Sequence, residues 1–172
     1  MRKYCLILFC FTFCSFTPVR EKVIATYTAE IGVRETTNNH GQRVEQYLKS
    51  VNRLPGDAWC AAFVSWCLEE SAVANCQSGW SPSWHPKSKL IYRPSSGIHK
   101  MDPRPGDVFG IWFIKLNRLA HTGFIDDWAS NDKFCTTVEG NTNDAGSREG
   151  DGVYKKRRIK RQIHSVSNWI ND

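Results

Sequence analysis

The sequence contains no run of about 20 consecutive apolar residues, the length a membrane-spanning helix needs, and this excludes a polytopic membrane protein. It has no internal repeat, no low-complexity linker and no second hydrophobic core, so its 172 residues read as one domain and not as a solenoid or an array. No Cys-x-x-Cys occurs among the seven cysteines, which argues against a zinc site or a disulfide knot. His40, His85, His99 and His164 lack zinc-ligand spacing, and Asp126-Asp127 and Asn141-x-Asn143-Asp144 fall short of a complete calcium loop. No metal and no other cofactor is therefore expected. No RNA- or DNA-binding signature accompanies the basic residues, so no specific nucleic-acid partner is expected. What is present is a globular composition: 41% hydrophobic, 23% charged and 12% aromatic, with a formal net charge of +6. That balance excludes a disordered tail or a collagen-like rod. Seven tryptophans supply large aromatic surfaces, which serve both cores and polymer-binding grooves.

Met1-Arg2-Lys3 followed by an apolar stretch from Tyr4 to Cys14 is a basic n-region and an h-region. Residues 1–17 read as a signal peptide, with no clean Ala-x-Ala to fix the cut, and residues 18–172 as one exported domain. Lipid anchoring at Cys14 is the alternative, disfavoured by bulky Phe11 and Phe13 before it. Without Arg2 and Lys3 the net charge is +4 and four cysteines remain: Cys60, Cys67, Cys76 and Cys135. Cys60 and Cys67 are two helical turns apart, about 10 Å by helix rise, too far for a disulfide. Cys76 and Cys135 are free to pair with each other or with Cys67.

The first half reads as helical. Val23, Tyr27 and Ile31 recur at four-residue spacing, as do Val44 and Leu48, with Tyr47 and Val51 beside them. Thr36 to Gly41 separates those two helices. Leu54-Pro55-Gly56-Asp57 ends the second, and a third starts at once with Ala58-Trp59-Cys60. From Asn75 to Asp102 a Ser-, Pro-, Gly- and Trp-rich stretch reads as a surface excursion. Strands follow over Val108–Ile114, Ala120–Trp128, Lys133–Glu139 and Gly152–Lys160. Helices first and strands afterwards predict an α+β domain, with N-terminal helices packed on an antiparallel β-sheet.

With Asp57 as N-cap, Cys60 falls in the first turn of the third helix, where the macrodipole favours a thiolate. The Asp57 charge opposes this, so a partner is needed, and His121 at the start of an apolar strand supplies one. Glu139 closes the next strand in Thr137-Val138-Glu139-Gly140-Asn141. If the two strands form a hairpin, Glu139 or Asn141 holds the imidazole through its second nitrogen. Cys60, His121, Glu139 and Asn141 are thus the candidate catalytic residues, in the logic of a Cys-His-acid/amide hydrolase. Trp59, beside the nucleophile, and Asn39 and Asp57 are the candidate substrate-binding residues. Trp80, Trp84 and Trp112 suit either stacking on substrate or burial. Lys155-Lys156-Arg157-Arg158-Ile159-Lys160-Arg161 reads first as an edge strand protected by charge, and second as an attractor for anionic cell-envelope polymers.

The segment Gly56-Asp57-Ala58-Trp59-Cys60-Ala61-Ala62-Phe63-Val64-Ser65-Trp66-Cys67 resembles the nucleophile helix of the CHAP-domain family, the cysteine, histidine-dependent amidohydrolases/peptidases. Glu30 to Glu35 and Asn38-Asn39-His40-Gly41 resemble that family's N-terminal helix and Asn-rich loop. Pro105-Gly106-Asp107-Val108, Ala120-His121-Thr122-Gly123-Phe124, Glu139-Gly140-Asn141-Thr142 and Gly150 to Tyr154 resemble its successive strand motifs, in order. The resemblance implies a papain-like fold related to the NlpC/P60 cell-wall hydrolases. It also implies cleavage of a peptidoglycan amide bond through a cysteine thioester, by an N-acetylmuramoyl-L-alanine amidase or a peptide endopeptidase. Cys60 matches the nucleophile, His121 the base, and Glu139 and Asn141 the orienting pair. A catalytically silent cell-wall-binding module is the alternative. The excursion from Gln77 to Lys100 and the stretch Ile114 to Arg118 depart from the family pattern.

Overall fold

Three helices occupy the N-terminal third, α1 (Val19–Ala29), α2 (Gln42–Ser50) and α3 (Cys60–Glu70), in a computed structural model that describes residues 18–144 and 150–170. The expected leader and Cys14 lie outside the described residues. Val23 and Tyr27 are the buried stripe of α1, but Ile31 lies past its end and is 37% exposed. The helix stops two residues before that stripe's third member. In α2 the buried residues are Val44, Tyr47 and Leu48. The break between α1 and α2 ends on Gly41, whose φ of 145° at the start of α2 suits a residue without Cβ. Buried Glu30 accepts two hydrogen bonds from Arg43 and one from the Tyr47 hydroxyl, tying the end of α1 to α2.

Seven strands form one antiparallel sheet: β1 (Leu90–Arg93), β2 (Ile98–His99), β3 (Val108–Phe113), β4 (Arg118–Asp127), β5 (Phe134–Thr142), β6 (Gly152–Ile159) and β7 (Ser165–Ser167). Their spatial order is β2-β1-β7-β3-β4-β5-β6, so the domain is α+β with an antiparallel sheet, as the sequence predicts. The four long strands lie within two or three residues of their predicted bounds. The short strands β1, β2 and β7 are additions. The first two come from the stretch expected to be a surface excursion, which is instead partly core: Trp84, Leu90 and Ile91 are buried, and the 3₁₀ turn Ser81–Trp84 packs beside β4.

Helix α3 is apolar nearly all round, and such a helix belongs inside. Eight of its 11 residues are buried, and it packs against α1, α2, β4 and β5. Its Phe63 meets Phe124 of β4 edge-on at 6.0 Å, and Cys67 points into the same core. Gly140 of β5 allows the close approach. A Cβ there would lie 2.6 Å from the Trp59 ring and 2.8 Å from Phe63. A second, smaller cluster contains Phe109, Ile125, Cys135, Ile163 and Val166. At the head of β3, fully buried Asp107 pairs with Arg20 of α1 at 3.2 Å. No helix among the described residues is long and apolar enough to cross a membrane.

Candidate active site

Cys60 is the first residue of α3, and the residue before it is Trp59 in a non-helical conformation. The expected cap is therefore corrected: Asp57 does not cap this helix. Its carboxylate accepts a hydrogen bond from the Leu54 N–H at 3.4 Å and faces Arg53 at 3.8 Å. The Cys60 N–H, at the opening of the helix, has no intrahelical acceptor. The Asp57 side chain does not compete for it.

The imidazole comes from β4 and its carboxylate partner from the adjacent β5. Pairing of Phe124 with Val138 sets the register of these strands. His121 Nε2 and Glu139 Oε2 lie 2.7 Å apart, both groups buried. An ionised carboxylate only accepts, so Nε2 carries the proton and Nδ1 is left for the thiol. Of the two expected orienting residues, Glu139 holds the imidazole and Asn141 does not. The β5–β6 register shifts between Glu139 and Thr142, and Asn141 has φ 53° there, so the alternation that would put residues 139 and 141 on one face is broken. Asn141 donates instead to Asn39 Oδ1 at 2.7 Å and Glu35 Oε1 at 3.3 Å.

Two candidate substrate contacts are corrected with it. The Asn39 side chain is engaged within the fold, accepting from Asn141 and donating to Gly56 O at 3.1 Å. Trp59 has no exposed surface. It stacks on Tyr47 at 5.5 Å and donates its Nε1–H to Glu35 Oε1 at 2.7 Å. Glu35, not singled out in the sequence, thus joins the Asn39 loop, the residue preceding Cys60 and the end of β5. Asp57 does reach a cleft, as described below.

Three further residues, two on Glu139 and one on Cys60, carry no signal in the sequence reading. Arg158 of β6 donates from Nε to Glu139 Oε1 and from Nη2 to Oε2, each at 2.5 Å. Thr137 adds a third donor at 2.5 Å. The one on Cys60 is Ser81, whose buried hydroxyl stands 3.6 Å from the sulfur.

Burial works against charge throughout this chain of groups, and the partners overcome it. For Cys60, desolvation is outweighed by the His121 hydrogen bond and charge, by Ser81 and by the Thr122 backbone, so the thiol titrates below its ordinary range. For His121, burial favours the neutral ring, but Cys60 and Glu139 raise its pKa to about 9. For Glu139, the Arg158 and His121 hydrogen bonds hold the carboxyl far below the usual carboxylate range despite burial. The other thiols go the opposite way. Burial raises Cys67 well above its ordinary value and pushes Cys76 and Cys135 to about 11. All four are free thiols in the structure, and Cys60 alone is activated among them. Replacing Ser81 by alanine is expected to move the acid limb of Cys60 alkylation by iodoacetamide to higher pH. The rate on that limb should slow by about three- to tenfold, the worth of one ordinary hydrogen bond.

Each member of this pair lines a cleft of its own. His121 opens into one of about 720 Å³ that also includes Ile111, Trp112, Ile114, Asn141 and Arg161. Cys60 opens into one of about 210 Å³ with Asp57, Trp80, Ser81 and Arg118 on its walls. Trp80 and Trp112 are therefore placed to meet a ligand, whereas Trp84 is fully buried. The basic run forms the outer strand β6 and the turn after it, as the edge-strand reading expects. Lys155 pairs with Asp126 at 2.7 Å, Arg157 with Asp132 at 4.0 Å and Arg158 with Glu139, while Lys156 and Lys160 donate to backbone carbonyls. Among the described residues no three His, Cys, Asp or Glu side chains form a metal-ligating cluster.

No family model matches the sequence. No curated protein matches it either. Among solved structures, the crystal structure of Ly7917 superposes with a TM-score of 0.42 at 13% sequence identity, over 88% of this chain and 62% of that one. The present chain therefore spans less than two thirds of the length of that structure.

Proposed function

We propose that this protein is an exported, papain-like cysteine amidohydrolase of the CHAP type. Its substrate is an amide bond of peptidoglycan, either N-acetylmuramoyl-L-alanine or a peptide bond of the stem or cross-bridge. The observation that carries the chemistry is the continuous chain from the Cys60 thiol at a helix start through His121 to buried, Arg158-bound Glu139. The choice of peptidoglycan rests on the motif resemblance, and export rests on the leader sequence.

The Cys60 thiolate attacks the amide carbon, a C–S bond forms, and the carbonyl oxygen takes the negative charge beside the Cys60 N–H. Collapse of this intermediate breaks the C–N bond as His121 gives its proton to the departing amine. His121, now neutral, takes a proton from water, the resulting hydroxide adds to the thioester carbon, and the thiolate leaves. The products are a carboxylic acid and an amine, with the enzyme restored. Glu139 stabilises the imidazolium and fixes its tautomer, and Arg158 keeps Glu139 ionised.

This assignment has a pH signature. The competent state holds a thiolate beside an imidazolium. A histidine raised to about 9 stays protonated through neutral pH and loses its proton above that value. Hydrolysis is expected to fall as pH rises through about 9, because the leaving amine then lacks its acid. Alkylation of Cys60 by iodoacetamide should not fall there, since the thiolate persists. The same sign applies to stability. The contribution of the His121–Glu139 pair is complete below the ordinary histidine value of 6.5 and is lost as pH passes about 9.

The reading is tested by digesting purified peptidoglycan with the reduced protein and resolving the products by mass spectrometry. Release of fragments with a newly freed amine, at masses that identify the bond, is the expected result. A folded, reduced protein whose Cys60 alkylates as a thiolate but which releases nothing would overturn it.

A further inference from the structure

The geometry points to a subsite for an anionic group on the amine side of the scissile bond. We infer that the larger cleft binds the carboxylate-bearing, partly apolar amine portion of an acidic peptide. This rests on the hydrolase reading for the direction of the substrate, but its recognition chemistry is read from the cleft itself.

The direction follows from which catalytic group faces which cleft. Cys60, which keeps the acyl group, lines the smaller one, and His121, which gives its proton to the leaving amine, lines the larger. The acyl part is thereby assigned to about 210 Å³ and the amine part to about 720 Å³.

The walls of the larger cleft supply the chemistry. Ile111, Trp112, Ile114 and Leu116 give an apolar side, with Trp112 40% and Ile114 87% exposed. Lys115 and Arg161 give an exposed cationic side, and among the described residues no aspartate or glutamate lines the cleft. Glu139 behind it is buried and already neutralised by Arg158. Among the described residues, neither Lys115 nor Arg161 has an acidic partner within salt-bridge distance. The other cations of the basic run are engaged within the fold, so Arg161 differs from them in being available. Its guanidinium suits a carboxylate with two hydrogen bonds. Cations without partners, set beside an apolar wall and a general acid, match a peptide amine product bearing a free carboxylate.

The test measures binding without turnover. The Cys60→Ala protein is titrated calorimetrically with short stem-type peptides whose carboxylates are free, and with the same peptides amidated. The acidic peptides are expected to bind about tenfold more tightly. Adding Lys115→Glu and Arg161→Glu should reduce that preference below about twofold, whereas Arg161→Lys should keep most of it. Circular dichroism melting checks that each variant is folded. Equal binding of acidic and amidated peptides by Cys60→Ala, or a preference that survives the charge reversal, overturns the inference. The two readings fail separately. An intact acid preference in a protein that hydrolyses nothing counts against the hydrolase alone. Hydrolysis with equal rates on acidic and amidated substrates counts against the anionic subsite alone.

Discussion

Replacement of Cys60 by alanine is expected to lower the rate of peptidoglycan amide hydrolysis by about 10⁴-fold or more. The loss should fall on kcat, because alanine leaves both clefts and the His121–Glu139–Arg158 chain in place. The variant should bind substrate fragments as the parent does and should no longer be alkylated at this position. Folding should change little. The side chain lost is small, and the buried thiolate it carried was held against desolvation. Serine is expected to rescue poorly, since a hydroxyl does not ionise beside an imidazolium at neutral pH. Full activity in either variant, measured as fragment release, would remove Cys60 from the mechanism.

The second large effect belongs to Arg158. Glu139 has no exposed surface and accepts both of this guanidinium's hydrogen bonds. Arg158→Ala leaves a buried carboxylate with His121 as its remaining ionic partner, and such a break costs about 3–5 kcal/mol of stability. Without the guanidinium, Glu139 takes a proton more readily and the imidazolium loses its counter-charge. kcat is therefore expected to fall by about 100-fold even in the folded fraction. Denaturant unfolding and single-turnover hydrolysis separate the two losses. The double variant Glu139→Gln/Arg158→Met should regain most of the stability, since no unpaired charge remains, while activity stays low. Recovery of both would make Arg158 a structural residue alone.

The legible parts of this molecule were those with a period. Helix α2 and strands β3 to β6 follow from apolar spacing, and Cys60, His121 and Glu139 follow from a helix start and two neighbouring strands. Adjacency to Cys60 in sequence does not place Trp59 beside the thiol in the cleft. Trp59 stands just outside the helix in a non-helical conformation, and its ring lies inward, against Tyr47 and Glu35. Asn141 turns away from the imidazole because the register shift after Glu139 is a backbone irregularity with no signature in the apolar period. Arg158 was hidden in a run of like charges, although the two-residue period of β6 separates Lys155 and Arg157, exposed, from Lys156 and Arg158, turned partly inward. Ser81 could not be found by period at all, since it lies in a 3₁₀ turn whose partners are distant in sequence. Strands β1, β2 and β7 have four, two and three residues, too few to show alternation.

The seating of Cys60 determines how the protein fails on heating. Many enzymes carry their reactive group on a loop that loosens well before the core does. Here Cys60 sits on the most enclosed helix, with Trp59 beside it and Gly140 admitting that ring against the sheet. The smallest opening that displaces Cys60 therefore also opens the main core. Amide exchange from Phe63 onward, where the N–H groups of α3 are hydrogen-bonded, should require nearly the full unfolding free energy. Thermal inactivation should accordingly coincide with loss of the near-ultraviolet tryptophan signal, in a single cooperative event.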